Sequence, residues 1–263
     1  MFSASDFEII DAHIHPFLDL KDCIGRYGQP KSTDEFFAEL RRMGVRYACG
    51  SVIIKQEKPD FEIVQKANRA ALKLRDLYPD FYVPGIHIDG NFPKESIQEL
   101  AFMHQQGVCW IGELVPYIMH TGDYASEGMM EIYAVAREYN MVVNIHDGDP
   151  LENIDRITQK YPGLKIVLAH PGENARAEVR FNFVAKHPDV YMDISGTGLF
   201  RWGMLRHALD ICGADKIIFG SDFPVGSCGM NIYGALAEHL SKEEFRQLFS
   251  LNFRALTKMT QLS

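Results

Sequence analysis

The chain lacks any long apolar run. Its longest, such as Ile166-Val167-Leu168-Ala169, stop far short of the roughly 18 residues a membrane span needs. The opening Met1-Phe2-Ser3-Ala4-Ser5-Asp6 has no basic stretch followed by an apolar one, so a secretory leader is not expected. Positive charge is also scarce. Lys and Arg number 27 against 35 Asp and Glu, a net charge of −8 with no basic cluster, which argues against a nucleic-acid partner. Five cysteines (Cys23, Cys49, Cys109, Cys212 and Cys228) contain no C-x-x-C pair and are odd in number. They read as reduced thiols of a cytoplasmic protein rather than a disulfide framework. There is no G-x-x-x-x-G-K-[ST] phosphate loop, and no G-x-G-x-x-G follows an apolar run. Ser221 sits outside any G-x-S-x-G elbow, which disfavours a serine hydrolase. What remains is a protein acting on a small molecule, with self-association left open.

The 263 residues, 46% hydrophobic and 24% charged, are ordinary globular material. A chain this long buries roughly 75% of the surface its unfolded form exposes, so it needs no disulfide or structural metal to fold. Short apolar runs begin near Ile9, Val45, Phe81, Val108, Met141, Lys165, Val190 and Lys216. Helical periods lie between them. Phe61, Val64, Ala67, Ala71, Leu74 and Tyr78 predict a helix over about 60–78, and Met129, Ile132, Tyr133, Ala136 and Tyr139 predict another. Leu151, Ile154, Ile157 and Tyr161 predict a third, shorter one. Ser32-Thr33-Asp34-Glu35 supplies capping residues, Met43-Gly44 a stop, and Pro79, Pro162 and Pro188 follow helical runs. The runs are continuously apolar, as strands covered on both faces are. Eight such units predict a single-domain α/β protein over 1–263, a closed (β/α)8 TIM barrel, with a doubly wound sheet as the alternative.

Metal-capable residues gather at the ends of these runs. The first closes as Asp11-Ala12-His13-Ile14-His15-Pro16. Spacing i, i+2 on a strand puts both imidazoles on one face, which in a barrel is the interior at its mouth. A lone His-x-His is short enough to arise by chance. His146 closes the fifth run, His170 the sixth, and Asp222 the eighth in Gly220-Ser221-Asp222-Phe223-Pro224. Burying so many polar ends without partners would be costly, so a shared role is the better account. A catalytic ion takes His nitrogens and carboxylate oxygens and lowers the pKa of bound water toward about 7. His13, His15, His146 and Asp222 supply ligands, and His170 an electrophile or proton carrier. Glu113, ending the fourth run, could bridge two metals, ligate one, or pair with a loop Arg. His87, Tyr117 and Arg176 are candidates to contact substrate, as are His120 and Arg180. Gly196-Thr197-Gly198 reads as a tight turn beside the mouth.

The ordered set of Ile10-Asp11-Ala12-His13-Ile14-His15-Pro16, His146, His170 and Gly220-Ser221-Asp222-Phe223-Pro224 resembles the amidohydrolase superfamily. Within it, the closer likeness is to the branch of amidohydrolase-related metal-dependent TIM-barrel hydrolases. The closing stretch Leu248-Phe249-Ser250-Leu251-Asn252-Phe253-Arg254-Ala255-Leu256 is similar to that branch's last helix. The resemblance implies His13, His15, His146 and Asp222 as metal ligands, with Asp222 also the general base. His170 would be catalytic with one ion or a ligand of a second. Glu113 resembles the glutamate of TatD-like nucleases, and Ala169-His170-Pro171-Gly172 departs from the branch's usual sixth-strand motif. The implied cofactor is a divalent metal, Zn2+ first and Mn2+ or Fe2+ next, as one or two ions. The implied activity is hydrolysis of a C–O or C–N bond in a small lactone, amide or ester. Non-oxidative decarboxylation is the alternative, and a TatD-like phosphoesterase the third.

Overall fold

The computed structural model describes residues 2–146, 150–197 and 201–259. Asp147 and Gly148, after the fifth strand, and Gly198 of the glycine-rich turn lie outside these residues. Eight strands run in chain order around one parallel sheet: β1 (Ile9–Ile14), β2 (Val45–Ser51), β3 (Tyr82–Ile86), β4 (Trp110–Leu114), β5 (Val142–Ile145), β6 (Lys165–Leu168), β7 (Val190–Asp193) and β8 (Ile217–Ile218). The ends of the sheet meet. Ala12 N–H donates to the Phe219 carbonyl at 2.9 Å, Asp222 N–H to the His13 carbonyl at 2.8 Å and His15 N–H to the Phe223 carbonyl at 2.8 Å. The closed barrel expected from the sequence is therefore what forms.

The predicted helices occupy their places, at Thr33–Arg42, Phe61–Leu77, Glu127–Glu138 and Leu151–Lys160. The Ser32 side chain accepts from Glu35 N–H, as its capping role requires. The helices bury one face against the outside of the sheet. Inside the barrel a second apolar layer holds Ile10, Tyr47, Cys49, Val83, Trp110, Val142, Val167 and Ile218. Phe253 and Leu256 of the last helix, Asn252–Thr257, join this layer and plug the lower end, with the Phe253 ring 5.5 Å from that of Trp110. The floor is thus closed by apolar side chains, which leaves the upper end for chemistry.

Candidate metal centre

Three local devices aim polar side chains into the mouth. Strict alternation is the first. Along β5 it carries the inward position from Val142 to Asn144 and His146, and along β7 from Tyr191 to Asp193 and Ser195. The second is an extra residue. Ile10 and Ala12 face inward, and alternation alone would then turn His13 and His15 out. The pairing of β1 with β2 slips by one residue between Asp11 and Ile14, which returns both imidazoles to the interior. β4 slips in the same way between Ile111 and Leu114, and this turns Glu113 inward. Gly112 permits that slip: its φ is +95°, and a Cβ there would lie 2.2 Å from the Asn144 carbonyl oxygen. The third device is left-handed backbone at His170 (φ 59°) and Asp222 (φ 61°), an uncommon conformation for a residue other than glycine.

The result is a buried cage. His13 Nε2 lies 3.1 Å from His15 Nε2, and the Glu113 Oε2 oxygen is 3.4 Å from the first and 3.3 Å from the second. Asp222 Oδ1 stands 3.3 Å from His15 Nε2 and 3.8 Å from His13 Nε2. Ligand bonds of about 2.0–2.2 Å at tetrahedral angles give donor separations of about 3.3–3.6 Å. The donors therefore already stand near the corners of a coordination shell, and two imidazoles with two carboxylates suit a divalent ion. The other oxygen of Glu113, Oε1, meets a second pair, His146 Nδ1 at 2.8 Å and His170 Nε2 at 3.1 Å. Glu113 thus stands between two pairs of imidazoles, and the loop Arg pairing entertained from sequence does not occur among its contacts. Two clusters of three donors result, both containing Glu113.

Charge complementarity holds these groups in the interior. Burial pushes the Glu113 carboxyl up, but the facing His13, His146 and His15 outweigh it and hold it well below the usual carboxylate range. Burial likewise lowers His13, yet Glu113 and Asp193 beside it raise the imidazole well above its ordinary value. His170 is raised in the same sense, chiefly by Glu113 against its burial.

The sequence reading missed the ring of residues behind the cage. Asp193 Oδ2 accepts from His13 Nδ1 at 2.9 Å, and Ser195 Oγ lies 3.0 Å from His13 Nδ1 and 3.0 Å from His170 Nδ1. Asp-x-Ser at 193 and 195 has the same two-residue spacing as His-x-His, and that was the available signal. Ser221 proves structural: it is fully buried and its hydroxyl donates to Asp11 across the β1–β8 seam.

Above the cage lies a cavity of about 130 Å3. His15, Glu113, His146, His170 and Asp222 form its polar side; Ile24, Ile53, Val115, Ile118 and Val225 form apolar walls. Tyr117 lines it, its ring 4.8 Å from that of His146, and so does Arg26, which the sequence did not single out. The other two substrate-contact candidates are not brought to this cavity. His87 is buried beside β3 without a well-formed hydrogen bond to either ring nitrogen, and the Arg176 stem packs over Gly172. His120 accepts from Asn91 through its carbonyl, and Arg180 Nη1 donates to the Ala169 carbonyl, so neither lines it.

A closed parallel barrel with a His-rich, carboxylate-bearing mouth defines the class of metal-dependent TIM-barrel enzymes. The chain belongs to the amidohydrolase family, whose profile matches residues 10–256. No functionally curated protein matches it in sequence. Among solved structures it is similar to 2,6-dihydroxybenzoate decarboxylase from Rhizobium, at 16% identity and TM-score 0.74, covering 97% of this chain and 100% of that one. It is also similar to 5-carboxyvanillate decarboxylase from Sphingomonas paucimobilis, at 13% identity and TM-score 0.73 over 97% and 100% of the two chains. A third, manganese-bound 5-carboxyvanillate decarboxylase from Novosphingobium aromaticivorans, shares 15% identity at TM-score 0.72 over 96% and 97%. At these identities the likeness is one of fold. Among the described residues no helix is long and apolar enough to cross a membrane.

Proposed function

We propose that this protein is a metal-dependent, non-oxidative decarboxylase of a small hydroxylated aromatic acid, a lyase in place of the hydrolase expected first from sequence. The observation that carries this reading is the cavity. It joins a donor cage to aliphatic walls and one arginine in a space of about 130 Å3. A closed cavity of about 150 Å3 holds benzene, so this space, open at the barrel's mouth, is on the scale of one ring and not of two. The decarboxylases that share the fold, one with manganese bound, support the same reading and make Mn2+ as reasonable an ion as Zn2+.

His13, His15, Glu113 and Asp222 would hold the ion, with His146 and His170 on the far oxygen of Glu113. Such an ion supplies a Lewis acid for the oxygens of the substrate. Arg26 pairs with the anionic acid, while Ile24, Ile53, Val115, Ile118 and Val225 exclude water from the ring. The bond between ring carbon and carboxylate breaks, its electron pair stays on the carbon, and CO2 leaves. That carbon then takes one proton, so no oxidant or reductant is needed. His170 and Asp222, both facing the cavity, are the groups placed to deliver it. The apolar walls favour the step because they strip water from the carboxylate, whose localised charge passes to the ring as CO2 leaves.

The test is CO2 release from 2,6-dihydroxybenzoate and 5-carboxyvanillate by protein loaded with Zn2+ or Mn2+. Release that depends on the ion is the expected result. No release from any such ring acid, with turnover of a lactone or ester instead, overturns the reading. Hydrolysis is the second reading because Glu113 stands between two imidazole pairs, the arrangement a two-ion hydrolase needs. Metal content per chain separates them further: two equivalents favour hydrolysis.

A further inference from the structure

We infer that Ser195 is a positioning residue which fixes the proton of His170 on Nδ1, so that Nε2, the nitrogen facing Glu113 and the cavity, is the one left to exchange a proton or bind an ion. The argument is an inventory of hydrogens around Asp193. Its Oδ1 accepts from Ser195 N–H at 2.9 Å and from the Ser195 hydroxyl. Its Oδ2 accepts from His13 Nδ1 at 2.9 Å and from Asn144 Nδ2 at 3.2 Å. The Asn144 amide is oriented by the Val167 carbonyl, which also takes a hydrogen bond from Nδ2. An ionised carboxylate offers about four lone-pair positions, and all are filled by N–H or O–H groups. Asp193 therefore has no position left for a proton of its own.

Ser195 has a single hydroxyl hydrogen, and Asp193 takes it. The serine oxygen can then only accept from His170 Nδ1, which stands 3.0 Å away, so that nitrogen must carry a hydrogen. His170 Nε2 lies on the opposite side of the ring, 3.1 Å from Glu113 Oε1. His13, whose Nδ1 faces Asp193, leaves its Nε2 turned toward the cage. One hydroxyl thus ties together two imidazoles from β1 and the end of β6. Gly196 makes room for the contact: a Cβ at that position would lie 2.3 Å from His170 Nδ1.

The experiment is nitrogen-resolved NMR of histidine-labelled, zinc-loaded protein, comparing wild type with Ser195→Ala and Ser195→Thr. Wild type and Ser195→Thr, which keeps the hydroxyl, are expected to show His170 protonated at Nδ1. Ser195→Ala is expected to lose that preference and distribute the proton over both nitrogens, while its zinc content stays at the wild-type level. An unprotonated Nδ1 in wild type overturns the inference. So does an unchanged Nδ1 in Ser195→Ala, whatever happens to the rate. The kinetic arm rests on the decarboxylase reading: kcat for a hydroxylated benzoate falls about tenfold in Ser195→Ala with KM unchanged and recovers in Ser195→Thr. The spectroscopic arm needs no substrate, so failure of the decarboxylase reading leaves the tautomer result standing.

Discussion

The two ends of the barrel bury side chains almost equally deeply, yet by opposite means. At the floor, Ile10, Trp110, Val142 and Val167 are 0–1% exposed and meet Phe253 and Leu256 in apolar contact. At the mouth, His13, His15, Glu113 and Asp193 are 0–3% exposed and meet one another as charges. Apolar burial stabilises by roughly 25 cal/mol per Å2 whatever the partner. Buried charge is tolerated only where partners satisfy it, and removing one partner strands the rest. The floor therefore carries stability, and the mouth holds arrangements that stability alone would not select. That contrast makes the mouth the place to look for function, and it can be broken experimentally.

The sharpest break is Asp222→Asn. Asn tolerates the left-handed backbone at this position, so the fold is expected to survive. Turnover is expected to fall by about 10^4-fold, some 5 kcal/mol of barrier, with the unfolding midpoint in urea close to wild type. Full turnover would remove Asp222 from the chemistry. The converse change is Trp110→Ala at the floor, expected to cost about 3–5 kcal/mol of stability through the cavity it opens. Here kcat per folded molecule should stay near wild type, measured well below the melting temperature. A fall in kcat matching the loss of stability would mean that the two ends are not separable.

The same contrast explains what could be read in the sequence. The strands were legible because burial on both faces makes them continuously apolar, and residues 166–168 of β6 are such a run. His146 and Asp222 were legible because a polar residue at the end of such a run needs a reason. The aim of Glu113 was not, since it depends on one extra residue in β4, and nothing local distinguishes an inward glutamate from an outward one until the pairing with β5 is known. Asp193 and Ser195 were not legible as site residues because a short polar alternation running into Gly196 reads equally well as the approach to a surface turn. Arg26 comes from the stretch after β1 and carried no periodic signal at all.

His87 sharpens the comparison because it sits at the mouth's end of β3 but is buried as the floor residues are. Burial, with His15 nearby, lowers its pKa to about 3. In the unfolded chain it titrates near 6.5, so between those values the unfolded state binds the extra proton. Stability from this group is full above pH 6.5 and falls as pH drops, by about 1.4 kcal/mol per pH unit. His87→Leu keeps the volume and removes the proton. Unfolding in urea at a series of pH values should show wild type losing about 2 kcal/mol relative to His87→Leu between pH 6.5 and 5, with no relative change above pH 7. Parallel curves would mean that His87 finds a partner for its proton in the folded state, and that it belongs with the charged groups of the mouth after all.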